Sequence, residues 1–80
     1  MKIKIKTFAV LKDELGDSID VEITENAKVE DLLDVLKKQY PGISEIFASS
    51  RIATTGSILE NQYGVPLNEE LFILPPSSGG

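Results

Sequence analysis

The last six residues, Pro75-Pro76-Ser77-Ser78-Gly79-Gly80, hold the arrangement in this chain best suited to chemistry. Neither proline has an N–H to give a β-ladder, and two in succession favour extended polyproline geometry. The glycines lack a Cβ, so the final backbone atoms fit a channel too narrow for other residues. Fully extended, six residues reach about 20 Å. The segment has no apolar residue to anchor it, so a flexible tail is expected, able to enter another protein's active site. The reactive group is then the carboxylate of Gly80, ionised at neutral pH and a poor acyl electrophile until activated. Gly79, Pro75 and Pro76 shape the approach, with Ser77 and Ser78 between them. A frayed terminus has the same Ser and Gly content. The functional reading rests on the placement of the glycines directly after the apolar run Leu71-Phe72-Ile73-Leu74, and on the scarcity of other reactive groups.

The chain contains no cysteine and no histidine. It therefore has no thiolate nucleophile, no disulfide framework, no imidazole base and no soft metal ligand. Conventional side-chain catalysis and a metal site are both unexpected. Thirteen acidic residues against eight basic ones leave a net charge of -5, and the basic residues are scattered. A phosphate backbone is repelled by such a chain, so the expected partner is a protein with a basic surface and not nucleic acid. The amino terminus alternates lysine with apolar residues and does not build the continuous run of a signal peptide or membrane span. A cytoplasmic location with no membrane association is expected.

At 80 residues the chain has room for one core, expected over residues 1-74 with the tail at 75-80. Ile3 and Ile5 alternate with Lys2, Lys4 and Lys6, the period of a strand with one dry face. Leu11 to Leu15 followed by Gly16 has the form of a helical turn closed by a left-handed glycine. In Ser18 to Thr24 the apolar residues Ile19, Val21 and Ile23 alternate again, predicting a second strand paired with the first as a hairpin. From Val29 the spacing changes to threes and fours through Leu32, Leu33, Leu36 and Tyr40, predicting one substantial helix that ends before Pro41-Gly42. Asp34 and Lys38 have the spacing of an i,i+4 pair. Lys28 is a poor N-cap, so the start is expected to shift to Asn26 or fray. A short helix within 44-50, a third strand over Arg51 to Thr54, an edge strand within 56-61, an irregular crossover near Pro66 and a last strand over Leu71 to Leu74 complete the chain. The fold class is α+β: a mixed sheet of four to five strands with one main helix packed across it, the β-grasp arrangement.

Leu71, Phe72, Ile73 and Leu74 are all apolar, although a sheet with one wet face should alternate. If Leu71 and Ile73 face the helix, Phe72 and Leu74 lie on the opposite face beside the root of the tail. There they are either covered by loops from residues 44 to 66 or form a partner-binding surface.

Thr7-Phe8-Ala9, Val29-Glu30-Asp31-Leu32-Leu33, Val65-Pro66-Leu67 and above all Phe72-Ile73-Leu74-Pro75-Pro76-Ser77-Ser78-Gly79-Gly80 resemble the MoaD/ThiS-like sulfur carriers, ubiquitin-like β-grasp proteins. Within them the match is to the small subunit of molybdopterin synthase. Ala53-Thr54-Thr55 and Asn68-Glu69-Glu70 depart from the family's usual turns. The resemblance implies a non-catalytic sulfur donor with no permanently bound cofactor. By the same resemblance an E1-like enzyme would adenylate Gly80 with ATP, and sulfur would replace one oxygen to give a thiocarboxylate. The tail would then enter the large catalytic subunit of a heterotetramer, where sulfur would pass to cyclic pyranopterin monophosphate in molybdenum cofactor biosynthesis. Archaeal ubiquitin-like modifiers can share the ending, so protein conjugation or tRNA thiolation is the alternative use.

Overall fold

The computed structural model describes residues 1–76. Strands β1 (Lys2–Lys6) and β2 (Ser18–Glu22) pair antiparallel, with Ile3 opposite Val21 and Ile5 opposite Ile19. The ladder runs on where Ile23 N–H donates to Met1 O at 2.8 Å, so the regularity of the second apolar alternation outlasts the assigned strand. Between them lies helix α1 (Ala9–Leu15), which drops Leu11 into the core and closes on Gly16. Gly16 has φ +90°, and its N–H donates to Lys12 O at 2.9 Å, as the left-handed closure requires.

Helix α2 (Val29–Gln39) buries Val29, Leu32, Leu33 and Leu36, the stripe anticipated from spacing. It begins at Val29 despite the poor side-chain cap, because its first amides are satisfied from elsewhere. Val29 N–H donates to Tyr63 O at 2.8 Å and Glu30 N–H to Asn61 O at 3.0 Å. The N–H of Lys28 donates in turn to Asp31 Oδ2 at 2.9 Å, the backward half of a capping arrangement. The expected shift to Asn26 does not occur. Asp34 pairs with Lys37 at 3.5 Å, one residue short of the expected Lys38. Both spacings place the partners on adjacent ridges of the helix, and on an exposed pair the difference is energetically small.

After Tyr40 the chain makes a 3-10 turn (Pro41–Ile43), helix α3 (Ser44–Ala48), β3 (Arg51–Ala53), β4 (Ile58–Leu59) and β5 (Leu71–Leu74). The edge strand expected within 56-61 is thus two residues long. The sheet order is β2-β1-β5-β3-β4. β5 runs parallel to β1 and antiparallel to β3, so the last strand is the middle one. Ile5, Ile19, Val21, Ile52, Leu71 and Ile73 form the dry sheet face in one cluster with the α2 stripe and Phe47 of α3. This is the α+β arrangement expected, with five strands. Among the described residues no helix is long and apolar enough to cross a membrane.

Leu36 has no solvent exposure. Leu36→Ala is expected to cost about 2 to 5 kcal/mol in urea unfolding, the range for a cavity in a closed core. A loss below about 0.5 kcal/mol would mean the site is not packed.

Candidate functional site

Parity sorts the side chains of β5. Leu71 and Ile73 are buried against the helices, while Phe72 and Leu74 are half-buried on the other, open face. Loops from residues 44 to 66 do not cover that face fully. Register shows what surrounds Phe72: Lys6 of β1 lies opposite it on one side and Ala53 of β3 on the other, with Ile58 of β4 beyond Ala53. Directly opposite residues share a face. One row therefore passes from charged to apolar, and Ile58 at its end is 56% exposed.

β1 stops pairing with β5 at Lys6, so Ile73 and Leu74 continue beside β3 alone. In the space that β1 vacates lies Phe8. This residue is 43% exposed, with its ring centroid 5.8 Å from that of Phe72 and a tilt of 33° between the planes. Phe8, Ala53, Ile58, Phe72 and Leu74 line one shallow apolar groove. Its floor ends at the turn 54–57, where Thr54 N–H donates to Ser57 O at 2.9 Å and Gly56 N–H to Thr54 Oγ1 at 3.4 Å. The departure Ala53-Thr54-Thr55 thus still closes a tight hairpin, with the Thr54 hydroxyl supplying turn chemistry.

The other half of the open face is charged. Lys4 pairs with Asp20 at 3.8 Å and Lys6 with Glu70 at 2.9 Å, all four half-exposed, so each pair contributes at most about 1 kcal/mol. Glu70 lies in the second departing segment, Asn68-Glu69-Glu70, and ties it to β1. Next to the groove the charge is mixed: Lys6 with its carboxylate partner, and the exposed Arg51 opposite Leu74.

The structure brings together Phe72, Leu74 and the start of the tail, with Pro75 half-buried and Pro76 exposed. Ser77, Ser78, Gly79 and Gly80 lie outside the described residues. Among the described residues no group of three His, Cys, Asp or Glu is placed to hold a metal. Sequence reasoning missed Phe8, Ala53 and Ile58 as members of the groove. Parity held the signal for Phe8, since it continues Lys2, Lys4 and Lys6 on the wet face. Ala53 and Ile58 needed the cross-strand register. Ile73→Ser is expected to lower unfolding free energy by about 3 kcal/mol or more, through a cavity and an unpaired hydroxyl. Phe72→Ser should lose only about 1 to 1.5 kcal/mol, the order of its aromatic contact. Equal losses in thermal and urea unfolding would contradict the two-faced strand.

No family model and no curated protein matches the chain. Solved structures do. The chain is similar to SAMP1 from Haloferax volcanii, with a TM-score of 0.74 and 25% identity over 100% of both chains. A second structure, of small archaeal modifier protein 1 from H. volcanii, gives 0.73 at 22% identity over 95% of this chain and 98% of that one. A Pyrococcus furiosus protein provisionally described as molybdopterin converting factor, subunit 1, gives 0.75 at 26% identity over 96% of this chain and 99% of that one. A central β5 parallel to β1, a helix laid across one face and these full-length similarities agree: the chain has the ubiquitin-like β-grasp fold of the MoaD/ThiS-like proteins.

Proposed function

We propose that this protein is a sulfur carrier whose Gly80 carboxylate is the working group, acting as the small subunit of a molybdopterin synthase. The observation that carries this reading is the end of β5. The central strand passes straight into Pro75-Pro76 beside an exposed apolar groove, in a fold similar to a molybdopterin converting factor subunit. In this scheme a carboxylate oxygen of Gly80 attacks the α-phosphate of ATP on an adenylating enzyme and pyrophosphate leaves. Sulfide-level sulfur then attacks the acyl carbon, the bond to the adenylate oxygen breaks as AMP leaves, and loss of the S–H proton gives the thiocarboxylate. That sulfur passes to the pterin acceptor in the large subunit, and water returns the carboxylate. ATP belongs to the adenylating enzyme, and the carrier supplies shape. Gly79 keeps the entering backbone narrow, and Pro75 and Pro76 aim it with Ser77 and Ser78 as spacer.

The groove serves as the docking surface, because the tail starts from its edge. A partner whose channel must receive residues 77-80 sits within reach of Phe72, Leu74 and Phe8. Apolar burial there holds the terminus in register, as aromatic anchors do in interfaces generally. The occupant is thus a protein with an apolar face bordering a narrow channel, in turn the adenylating enzyme and the large subunit.

Similarity to SAMP1, an archaeal modifier by its name, favours a second use of the same chemistry: attack on the activated Gly80 by a lysine amine of another protein. Both readings need Gly80 activated, and intact mass separates them. Incubation with the adenylating enzyme, ATP and a sulfur source should shift the mass by one oxygen-to-sulfur exchange. Lysine-linked adducts instead would establish the modifier. Removing Gly80, or adding one residue after it, should abolish the shift and leave the unfolding midpoint unchanged, and an undiminished shift would end the proposal. Gly79→Ala should slow transfer severely at unchanged stability, since its methyl group meets the channel wall.

A further inference from the structure

Ala9 is the one non-glycine residue with positive φ among the described residues, at +53°. An alanine in the left-handed region brings its Cβ against backbone and is unfavourable, so such a residue persists only where its surroundings impose it. Here they are identifiable. Thr7, buried on the core side, donates its hydroxyl to Gly16 O, and its N–H donates to Asp17 O at 3.1 Å. Four residues on, Leu11 has no exposure and is fixed in the core. Between these anchors the chain must leave β1 in extended form, with Phe8 at φ -140° and ψ 158°, and then enter α1 at once. The left-handed turn at Ala9 makes that change in a single residue. Its product is an exposed phenylalanine lying against Phe72.

We infer that the strained Ala9 turn is a positioning device that holds the Phe8 ring on Phe72, so that the docking groove beside the tail is preformed before a partner arrives. The inference rests on the carrier reading for the identity of the partner, the adenylating enzyme. Its structural half concerns the free protein alone. A preformed aromatic anchor loses less conformational entropy on binding than a mobile one, so the strain is recovered as affinity. Ala9 touches no reacting atom and acts only through Phe8.

Ala9→Gly tests it, because glycine adopts positive φ without strain and also frees the backbone to leave it. The ring-to-ring nuclear Overhauser effects between Phe8 and Phe72 should be strong in the wild-type chain and weakened in Ala9→Gly. The unfolding midpoint should be unchanged or raised. Affinity for the adenylating enzyme of the same organism should fall by about fivefold, the scale of one aromatic side chain losing its preorganisation. Phe8→Ala should lose at least as much, and adding Ala9→Gly to Phe8→Ala should cost nothing further, as expected of residues acting as one unit. Undiminished ring contacts in Ala9→Gly overturn the inference, as does wild-type affinity once the contacts are lost. Weaker binding that Phe8→Ala does not share also overturns it, since Ala9 would then act elsewhere. A wild-type chain that shows the ring contacts yet is not bound by the adenylating enzyme sinks the carrier reading, and the docking role assigned to Phe8 with it.

Discussion

Strand β5 joins two partners within four residues, β1 in parallel through Leu71 and Phe72 and β3 antiparallel through Phe72, Ile73 and Leu74. β5 is last in the chain and central in the sheet, so without it β1-β2 and β3-β4 would be two separate hairpins. Its inward pair, Leu71 and Ile73, joins the stripe of α2 to the dry face of both halves. A strand so placed tolerates little change on that side, since full burial of each aliphatic side chain stabilises by about 1.5 to 3 kcal/mol. The same rigidity gives the tail a fixed origin. Pro75 follows the last ladder residue, and Pro76 continues into solvent.

Parallel pairing of β1 with β5 requires a long crossover, and part of that crossover has a second task. Carbonyl oxygens of Asn61 and Tyr63 accept the first amides of α2, and Val65 N–H donates to Ala27 O at 2.9 Å. The segment before β5 is thereby stitched to the start of the main helix, and Val65 is buried beneath it. Helix start and strand insertion depend on each other, although more than thirty residues separate Lys28 from Val65. A side-chain cap at position 28 would be redundant, and a lysine is accepted there.

The open face divides along the same strand. Toward β1 and β2 it carries lysines facing carboxylates, a solvated surface that discourages sticking. Toward β3 and β4 it carries Ala53, Ile58, Phe72 and Leu74, with Phe8 turned in from the first connection. Apolar surface on a domain this small lowers solubility and does nothing for the core, and the position of this patch at the root of the tail is what gives it functional weight. In the proposed function a chain without cysteine or histidine takes part in group transfer by presenting its Gly80 carboxylate and leaving activation to others.

Much was legible from residue order alone. Alternation in Lys2 to Lys6 and Ser18 to Thr24, the three-four spacing from Val29 and the all-apolar Leu71 to Leu74 are local patterns, because a side chain's direction follows from its own backbone period. They established these strands, the main helix and its buried stripe, and they split Leu71 to Leu74 into two alternating pairs, while the ending Pro75 to Gly80 is where the proposed chemistry lies. Other features belong to the tertiary structure: the central place of β5, the loop carbonyls that start α2 at Val29, and the meeting of Phe8, Ala53 and Ile58 around Phe72. The row from Lys6 to Ile58 exists only once four strands are in register. Register and crossover are decided by backbone hydrogen bonds and packing between residues far apart in the chain, and no local period records which distant strand will lie alongside.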